Sequence, residues 1–438
     1  MDAEKAFDRI DHNILFNKLL KAGIKGKVYN NVKNIYEFSK TSVKVNDLLT
    51  DWFETTSGVK QGDTLSPTLF SIFVNDLITE INVAKTGINI KDKHIGILLY
   101  ADDIALISES ENELQRALDI VYKWSTQNII RFNQAKSNVV HYRKRGSNRT
   151  TFSFQLGNST LCLTNQYKYL GLYLDENLNF NTTVKFLSNA GNRALGAIIN
   201  KYKKLNGLGY NTYTKLYESG VTSILDYGGE IWGFKKYKDI DLIQNKAARV
   251  FLGVHRFAPL PAIHGDLGWT SSDDRRKLAM FRYWNRIVNM SELRLPKIIF
   301  NWMREQVGDS WVQEIKSQFE KCGIIEKFYN LDEVELFDIS NKLAQASQDI
   351  WLNNVQDMPK LRNYKLFKNS YEAEPYVLCF LNREKRSLVA QLRSGILPLQ
   401  VEVGRWQGIP IEERICPVCN LNQVEDECHF LFESKNKI

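Results

Sequence analysis

Two short apolar runs, Gly96-Ile97-Leu98-Leu99 and Ile104-Ala105-Leu106-Ile107, flank the break Tyr100-Ala101-Asp102-Asp103. Runs of this length around an acidic turn predict a buried β-hairpin with carboxylates at its tip. Burying two adjacent ionised side chains is costly unless something cationic compensates. A bound divalent metal therefore explains the pair better than packing does; an ordinary exposed turn, where Asp is common, is the alternative.

The pattern on either side fills in the elements. Ile14, Leu15, Leu19 and Leu20 recur at helical spacing behind Asp11, a suitable N-cap, and predict a helix over 11–20. Val43, Val45, Leu49 and Trp52 alternate through 40–53 as strands would. Ser66 and Pro67 read as the cap and first turn of a helix carrying Leu69, Phe70, Phe73, Leu77 and Ile81 along one side. Leu114, Ala117, Leu118, Val121 and Trp124 mark another over 111–124. Tyr167, Tyr169, Leu170-Gly171 and Tyr173 predict an aromatic strand over 166–174 with a central glycine. This order gives an α+β domain, with helices on one face of a mainly antiparallel sheet.

From about Asn181 the period is helical and stays so, over 184–204, 211–225, 238–252, 273–290, 310–354 and 382–395. Gly228-Gly229, the stretch 257–268 with its two prolines, and Pro296 punctuate it.

At 438 residues the chain should hold two or three domains. Its 43% hydrophobic and 25% charged residues are ordinary for a globular protein, and its apolar stretches are too short or too charged to span a membrane. The opening Met-Asp-Ala-Glu-Lys does not read as a signal peptide. The net charge of +8 is concentrated in places. Lys136, Arg143, Lys144, Arg145 and Arg149 fall in a stretch without an acid, and Lys201-Tyr202-Lys203-Lys204 and Lys235-Lys236-Tyr237-Lys238 each enclose an aromatic. That interleaving suits phosphate contact with base stacking, and equally a solvated face. Six scattered cysteines are too few for a disulfide scaffold and fit a reducing, intracellular setting.

Asp2 stands before the first helix with only Met1 to supply the strand expected at such a junction. In Ser57-Gly58-Val59-Lys60-Gln61-Gly62-Asp63-Thr64-Leu65-Ser66-Pro67 the two glycines permit close backbone approach to a ligand. No Walker-type Gly-Lys-Ser/Thr follows, so a loop placing Gln61 beside a substrate is the better reading.

Taken together, Asp2-Ala-Glu-Lys-Ala-Phe-Asp8, Gly58-Val-Lys-Gln-Gly-Asp-Thr-Leu-Ser-Pro67, Tyr100-Ala-Asp-Asp103, Asn133-Gln-Ala-Lys136 and Tyr169-Leu-Gly171 resemble the reverse transcriptase of non-LTR retrotransposons, the LINE-type elements that include jockey-like and CR1-like lineages. The pieces stand in that family's order across roughly residues 1–175. The resemblance implies an RNA-directed DNA polymerase using an RNA template, a DNA primer or target and dNTPs, with two Mg²⁺ ions about 3.5–4 Å apart at the in-line displacement. It implies Asp2 and Asp102 as metal ligands, with Asp103 shaping the site or ligating more weakly. Phe7 matches a steric gate against the ribose 2′-OH, and Gln61 with Gly62 matches the template–nucleotide pocket. Lys136 matches a residue that protonates or neutralises departing pyrophosphate, and Tyr169, Leu170 and Gly171 match the primer grip. Asp8 reads as a helix-start acid.

The implied architecture is a palm without fingers over 1–178, then a helical thumb and connector over 179–300. A helical C-terminal region over 301–405 and a Cys/His tail over 406–438 follow. The resemblance begins inside the polymerase, without upstream fingers motifs or an endonuclease domain, and implies a truncated copy with impaired activity. A nucleic-acid-binding remnant without catalysis, or a group II intron maturase-like palm polymerase, are the alternatives. The family setting implies a nuclear and cytoplasmic ribonucleoprotein.

In the tail, Cys416-Pro-Val-Cys419 followed by Cys428-His429 has the spacing expected of half of a structural zinc site. Ser434 stands where relatives place a fourth cysteine, leaving Cys428 as the substitute.

Overall fold

The helix Ser66–Val83 is the spine of the first half of the chain. Leu69, Phe70, Phe73, Leu77 and Ile81, three and four apart, all face inward. They pack between Leu15 and Leu19 of the helix His12–Lys21 and Ala117, Val121 and Trp124 of the helix Glu111–Gln127. Lys18 is buried among them yet satisfied. Its ammonium donates to the Phe73 carbonyl at 2.6 Å, pairs with Asp76 at 2.9 Å and lies over the Phe73 and Trp124 rings. Asp11 caps the first helix as expected, its carboxylate accepting the Ile14 N–H at 3.0 Å. Ser66 does not cap. It is the first residue of its helix, and its hydroxyl donates to the Lys60 carbonyl at 2.7 Å, tying the glycine loop to the helix start.

The computed structural model describes residues 1–306, 308, 310–379 and 381–433, and these fall into two compact units, Met1–Asn179 and one beginning at Phe180. The first unit is α+β, but its strands do not form the broad sheet that the pattern suggested. Among the described residues they make seven two-stranded pairs, six antiparallel and one parallel (Asn138–Val140 with Cys162–Thr164). Tight turns close each hairpin, and single-residue bridges rather than full ladders join some of them. Between 40 and 54 the strands form an exposed ribbon, and Val43, Val45, Leu49 and Trp52 stay at its surface rather than in a core. The stretch 166–174 is a hairpin rather than one strand. Gln166–Tyr169 pairs with Leu172–Asp175 across Leu170-Gly171, whose φ angles of 46° and 85° make the reversal.

The second unit is helical. Asn181–Lys204, Lys238–Leu252 and Ser272–Val288 follow the periodicity closely. The predicted helix 310–354 is instead three, Trp311–Lys321, Ile325–Asn330 and Leu336–Gln356, interrupted where Gly323 and Leu331 turn left-handed. The predicted helix 211–225 is helical throughout, over 210–225, and widens into one π-helical turn at Glu218–Thr222. One core gathers Met280, Phe281, Trp284, Phe300, Ile315, Phe319 and Phe328. No described helix is long and apolar enough to cross a membrane.

The aromatics in the two basic runs point away from any base-stacking role. Tyr202 is fully buried, donating to the Phe251 carbonyl at 3.0 Å and accepting from Arg386. Tyr237 lies half-buried against Trp232. The flanking lysines remain at the surface. The stretch 136–149 is likewise less free than its charge suggests. Arg143 pairs with Glu176 at 2.9 Å, and Arg149 reaches Glu176 and donates to Asn165. Lys136, Lys144 and Arg145 stay exposed.

Candidate active site

Where the sequence calls for a strand, the first three residues make single-residue bridges on both sides. Ile104 N–H donates to the Met1 carbonyl at 3.1 Å on one side, while on the other Asn133 N–H donates to the Asp2 carbonyl and Glu4 N–H to the Arg131 carbonyl, both at 2.8 Å. Asp2 thereby bridges antiparallel to Asp103, and Ala3 to Phe132. Directly opposed residues in such a pair lie on one face with Cβ atoms about 4.5–5.5 Å apart, so the Asp2 and Asp103 carboxylates share a face. Asp103 opens the second strand of the hairpin, pairing with Tyr100 across a two-residue turn of Ala101, at φ 52°, and Asp102. The chain's first acid and Asp103, about a hundred positions apart, are thereby neighbours, with Asp102 next in the turn.

Electrostatics agree with that crowding. Burial first, and then the charges of Asp102 and Asp2, hold the Asp103 carboxyl above the usual carboxylate range. A cation lies alongside: Lys136 Nζ is 3.6 Å from Asp2 Oδ2, at the end of an exposed side chain. Asp2 and Asp103 offer hard carboxylate oxygens of the kind Mg²⁺ prefers, although among the described residues no three acids bring their oxygens together as a ligand group.

The residues after Asp2 pack against the glycine loop and the helix that follows it. The Phe7 ring stacks on Phe70 at a centroid distance of 4.7 Å, and Phe7 accepts the Val59 N–H at 2.8 Å. Asp8 does not start a helix, since Asp11 has that place; its carboxylate accepts from the Gln61 amide at 3.0 Å. Gly58 has φ 91°, and a Cβ there would come within 3.0 Å of the Asp8 carbonyl, so both conformation and space call for glycine. Gly62 has φ 88° and open space beside it.

Residues 1–174 match the family of reverse transcriptases, RNA-dependent DNA polymerases. The chain is also 26% identical over 296 residues to the RNA-directed DNA polymerase of the mobile element jockey from Drosophila funebris, a match covering 66% of this chain and 32% of that protein. It is 25% identical over 299 residues to the corresponding polymerase of the X-element from Drosophila melanogaster, covering 66% and 32%. With the Pol polyprotein of the type-1 retrotransposable element R2 from Nasonia vitripennis it shares 27% over 180 residues, covering 39% and 18%. The chain spans about a third of the length of the jockey and X-element polymerases it matches.

Within this matched segment the Tyr169-Leu170-Gly171 hairpin lies near Asp103. Burial, and then the Asp103 charge, push both the Tyr167 and Tyr169 phenols up. Tyr167 and Ser137 are site neighbours that the motifs did not single out. Tyr167 donates to the Lys136 carbonyl at 3.3 Å, and the buried Ser137 hydroxyl donates to the Asn133 carbonyl at 2.8 Å. The signals were there: Tyr167 sits two positions from Tyr169 on the same strand face, and Ser137 follows Lys136 directly.

In the tail, Cys416, Cys419 and His429 converge, their ligand atoms all within 4.8 Å of one another and Cys419 Sγ 3.2 Å from His429 Nε2. The pairing of Ile415 with Val424 folds the two cysteines back over this point. Cys428 does not join them. It is exposed, with its Sγ directed toward Asn363 at 3.9 Å, because successive side chains in a helical turn diverge by about 100°. Ser434 lies outside the described residues.

Proposed function

We propose that this chain performs RNA-directed DNA synthesis in a non-LTR retrotransposon, adding dNTPs to a primer 3′-OH on an RNA template. The observation that supports this most directly is the bridge that sets Asp2 opposite Asp103, with Asp102 one residue away. In this reading residues 1–178 are the palm, 179–300 the helical thumb and connector, 301–405 a helical C-terminal region and 406–438 a Cys/His tail. Asp2 and Asp102 hold Mg²⁺ and Asp103 supports them. The metal pair supplies charge stabilisation for the attacking 3′-oxygen and the leaving pyrophosphate.

The protein's own side chains do the rest. Lys136, beside Asp2, is placed to neutralise or protonate the leaving group. Gln61, held by Asp8, lines the template–nucleotide pocket with Gly62. Tyr169, Leu170 and Gly171 seat the primer end. The test is primer extension by the purified chain on oligo(dT)-primed poly(rA) with Mg²⁺ and dTTP; no extension above a no-enzyme control overturns the reading.

Phe7, clamped on Phe70, crowds the ribose 2′ position and so favours dNTPs. Phe7→Val should raise the ratio of rNTP to dNTP incorporation by roughly 10–100-fold, as expected when steric exclusion of one hydroxyl is relieved. A ratio unchanged from wild type removes Phe7 from that role.

In the tail, Cys416, Cys419 and His429 are proposed to hold a structural Zn²⁺, with Cys428 outside the set. Metal analysis should find about one zinc per chain, lost in Cys419→Ser and kept in Cys428→Ser. Zinc lost in both variants returns Cys428 to the ligand set.

A further inference from the structure

We propose that Ser137 is a positioning residue for the Asp2 carboxylate, acting through a hydrogen-bonded bracket formed by residues 133–137. The proposal rests on the polymerase reading of the Asp2, Asp102 and Asp103 cluster. Asp2 is held on this edge by two backbone contacts. Its carbonyl accepts from Asn133 N–H at 2.8 Å, and its N–H donates to Ser137 Oγ at 3.4 Å. The same hydroxyl donates to the Asn133 carbonyl at 2.8 Å, so one side chain closes a ring between the metal-site strand and the turn. Ser137 is fully buried, and no water could replace that hydroxyl without opening the turn.

Three further contacts give the bracket its shape. Asn133 Oδ1 accepts the Lys136 N–H at 3.2 Å, the Ser137 N–H donates to the Asn133 carbonyl at 2.9 Å, and Tyr167 anchors the Lys136 carbonyl at 3.3 Å. Lys136 Nζ therefore leaves a fixed turn and meets Asp2 Oδ2 at 3.6 Å. Asp103 is aligned by its hairpin with Tyr100 as well as by the bridge to Asp2. The separation between the two acid-bearing strands thus depends on Asp2 being held flat against its neighbours, and on the far side the Ser137 hydroxyl is one of the two groups that do so. Partners behind a metal ligand commonly change metal affinity by 10–100-fold when removed, through orientation alone.

Mn²⁺ binding to the full-length, nucleotide-free chain, read by electron paramagnetic resonance, tests this without depending on catalysis. Asp2→Asn identifies the signal belonging to the site. Ser137→Ala should weaken that binding roughly tenfold, Ser137→Thr, which keeps the hydroxyl, should stay within about twofold of wild type, and Tyr167→Phe should weaken it by a few-fold. The last variant decides the matter if Ser137→Ala does not fold. Wild-type affinity in Ser137→Ala, with only a lowered melting temperature, makes the hydroxyl structural and overturns the proposal. So does wild-type affinity in Tyr167→Phe should the alanine variant fail to fold, or a loss in Ser137→Thr equal to that in Ser137→Ala. Failed primer extension by wild-type protein that still binds Mn²⁺ through Asp2 counts against the polymerase reading and leaves the bracket standing.

Discussion

Asp102→Asn should abolish primer extension, lowering the rate by about 10³-fold or more while leaving the protein folded. Removing one preorganised group that faces developing charge typically costs about 10²–10³-fold. Here the lost group is also a proposed metal ligand, so the upper end of that range is the floor expected. A factor of 10³ corresponds to about 4 kcal/mol of transition-state stabilisation.

The sign of the stability change separates this from misfolding. Asp102 sits at a hairpin tip, and its charge is among the causes that hold Asp103 high. Neutralising it relieves repulsion between like charges, so the metal-free variant should melt at or above the wild-type temperature. Extension assays and thermal melts on the same preparation read both effects. Activity within tenfold of wild type would remove Asp102 from the metal site.

The largest stability effect is expected far from the active site, at Asp266. This residue is 2% exposed and accepts four hydrogen-bonding groups: Arg393 Nη2 at 2.9 Å and Nε at 3.1 Å, Tyr364 Oη at 3.0 Å and Tyr376 Oη at 2.6 Å. Burial and then the Asp266 charge push both phenols up, so they remain donors throughout the physiological range. Arg393 also stacks over Phe367 at 4.6 Å and pairs with Glu374 at 3.0 Å. One carboxylate thus links the helices Leu260–Leu267 and Arg383–Arg393 to the segment 364–376. Asp266→Ala strips the main acceptor from a buried guanidinium and two phenols, and should cost about 3–5 kcal/mol. That is on the order of 10 °C in melting temperature for a unit of this size. Tryptophan fluorescence during urea unfolding reports it, and a loss under about 1 kcal/mol would show that Glu374 carries the network instead.

Local chemistry was readable wherever a decision involved a few adjacent residues. The Asp11 cap, the inward stripe from Leu69 to Ile81, the helix Lys238–Leu252 and the acidic hairpin tip all lie where residue type and spacing put them. The misreadings have a common cause. Ser66 has the residue type of a cap but does not act as one, because the competing acceptor, the Lys60 carbonyl, is set by how the preceding loop folds. Between its lysines Tyr202 suits base stacking and a solvated face equally, and neither holds because its partners Phe251 and Arg386 come from 49 and 184 positions away. Leu170-Gly171 looked like the middle of a strand because a hairpin and a strand share the same alternation until both turn residues adopt positive φ. Cys428 looked as good a ligand as His429 because sequence adjacency hides the angle between neighbouring side chains.

By itself the sequence determined the resemblance carried by the motifs of roughly residues 1–175, the α+β then helical order, and which acids, aromatic and lysine are the candidates for a nucleotidyl transfer. These follow from short-range periodicity and from motifs whose spacing is written in the chain. Tertiary structure alone decided that Asp2 faces Asp103, that Ser137 and Tyr167 brace the turn bearing Lys136, and that Arg143 and Arg149 are engaged by Glu176 rather than free. Each of these is a contact between residues tens to a hundred positions apart, and such contacts are set by how packed elements close on one another, which no local pattern encodes.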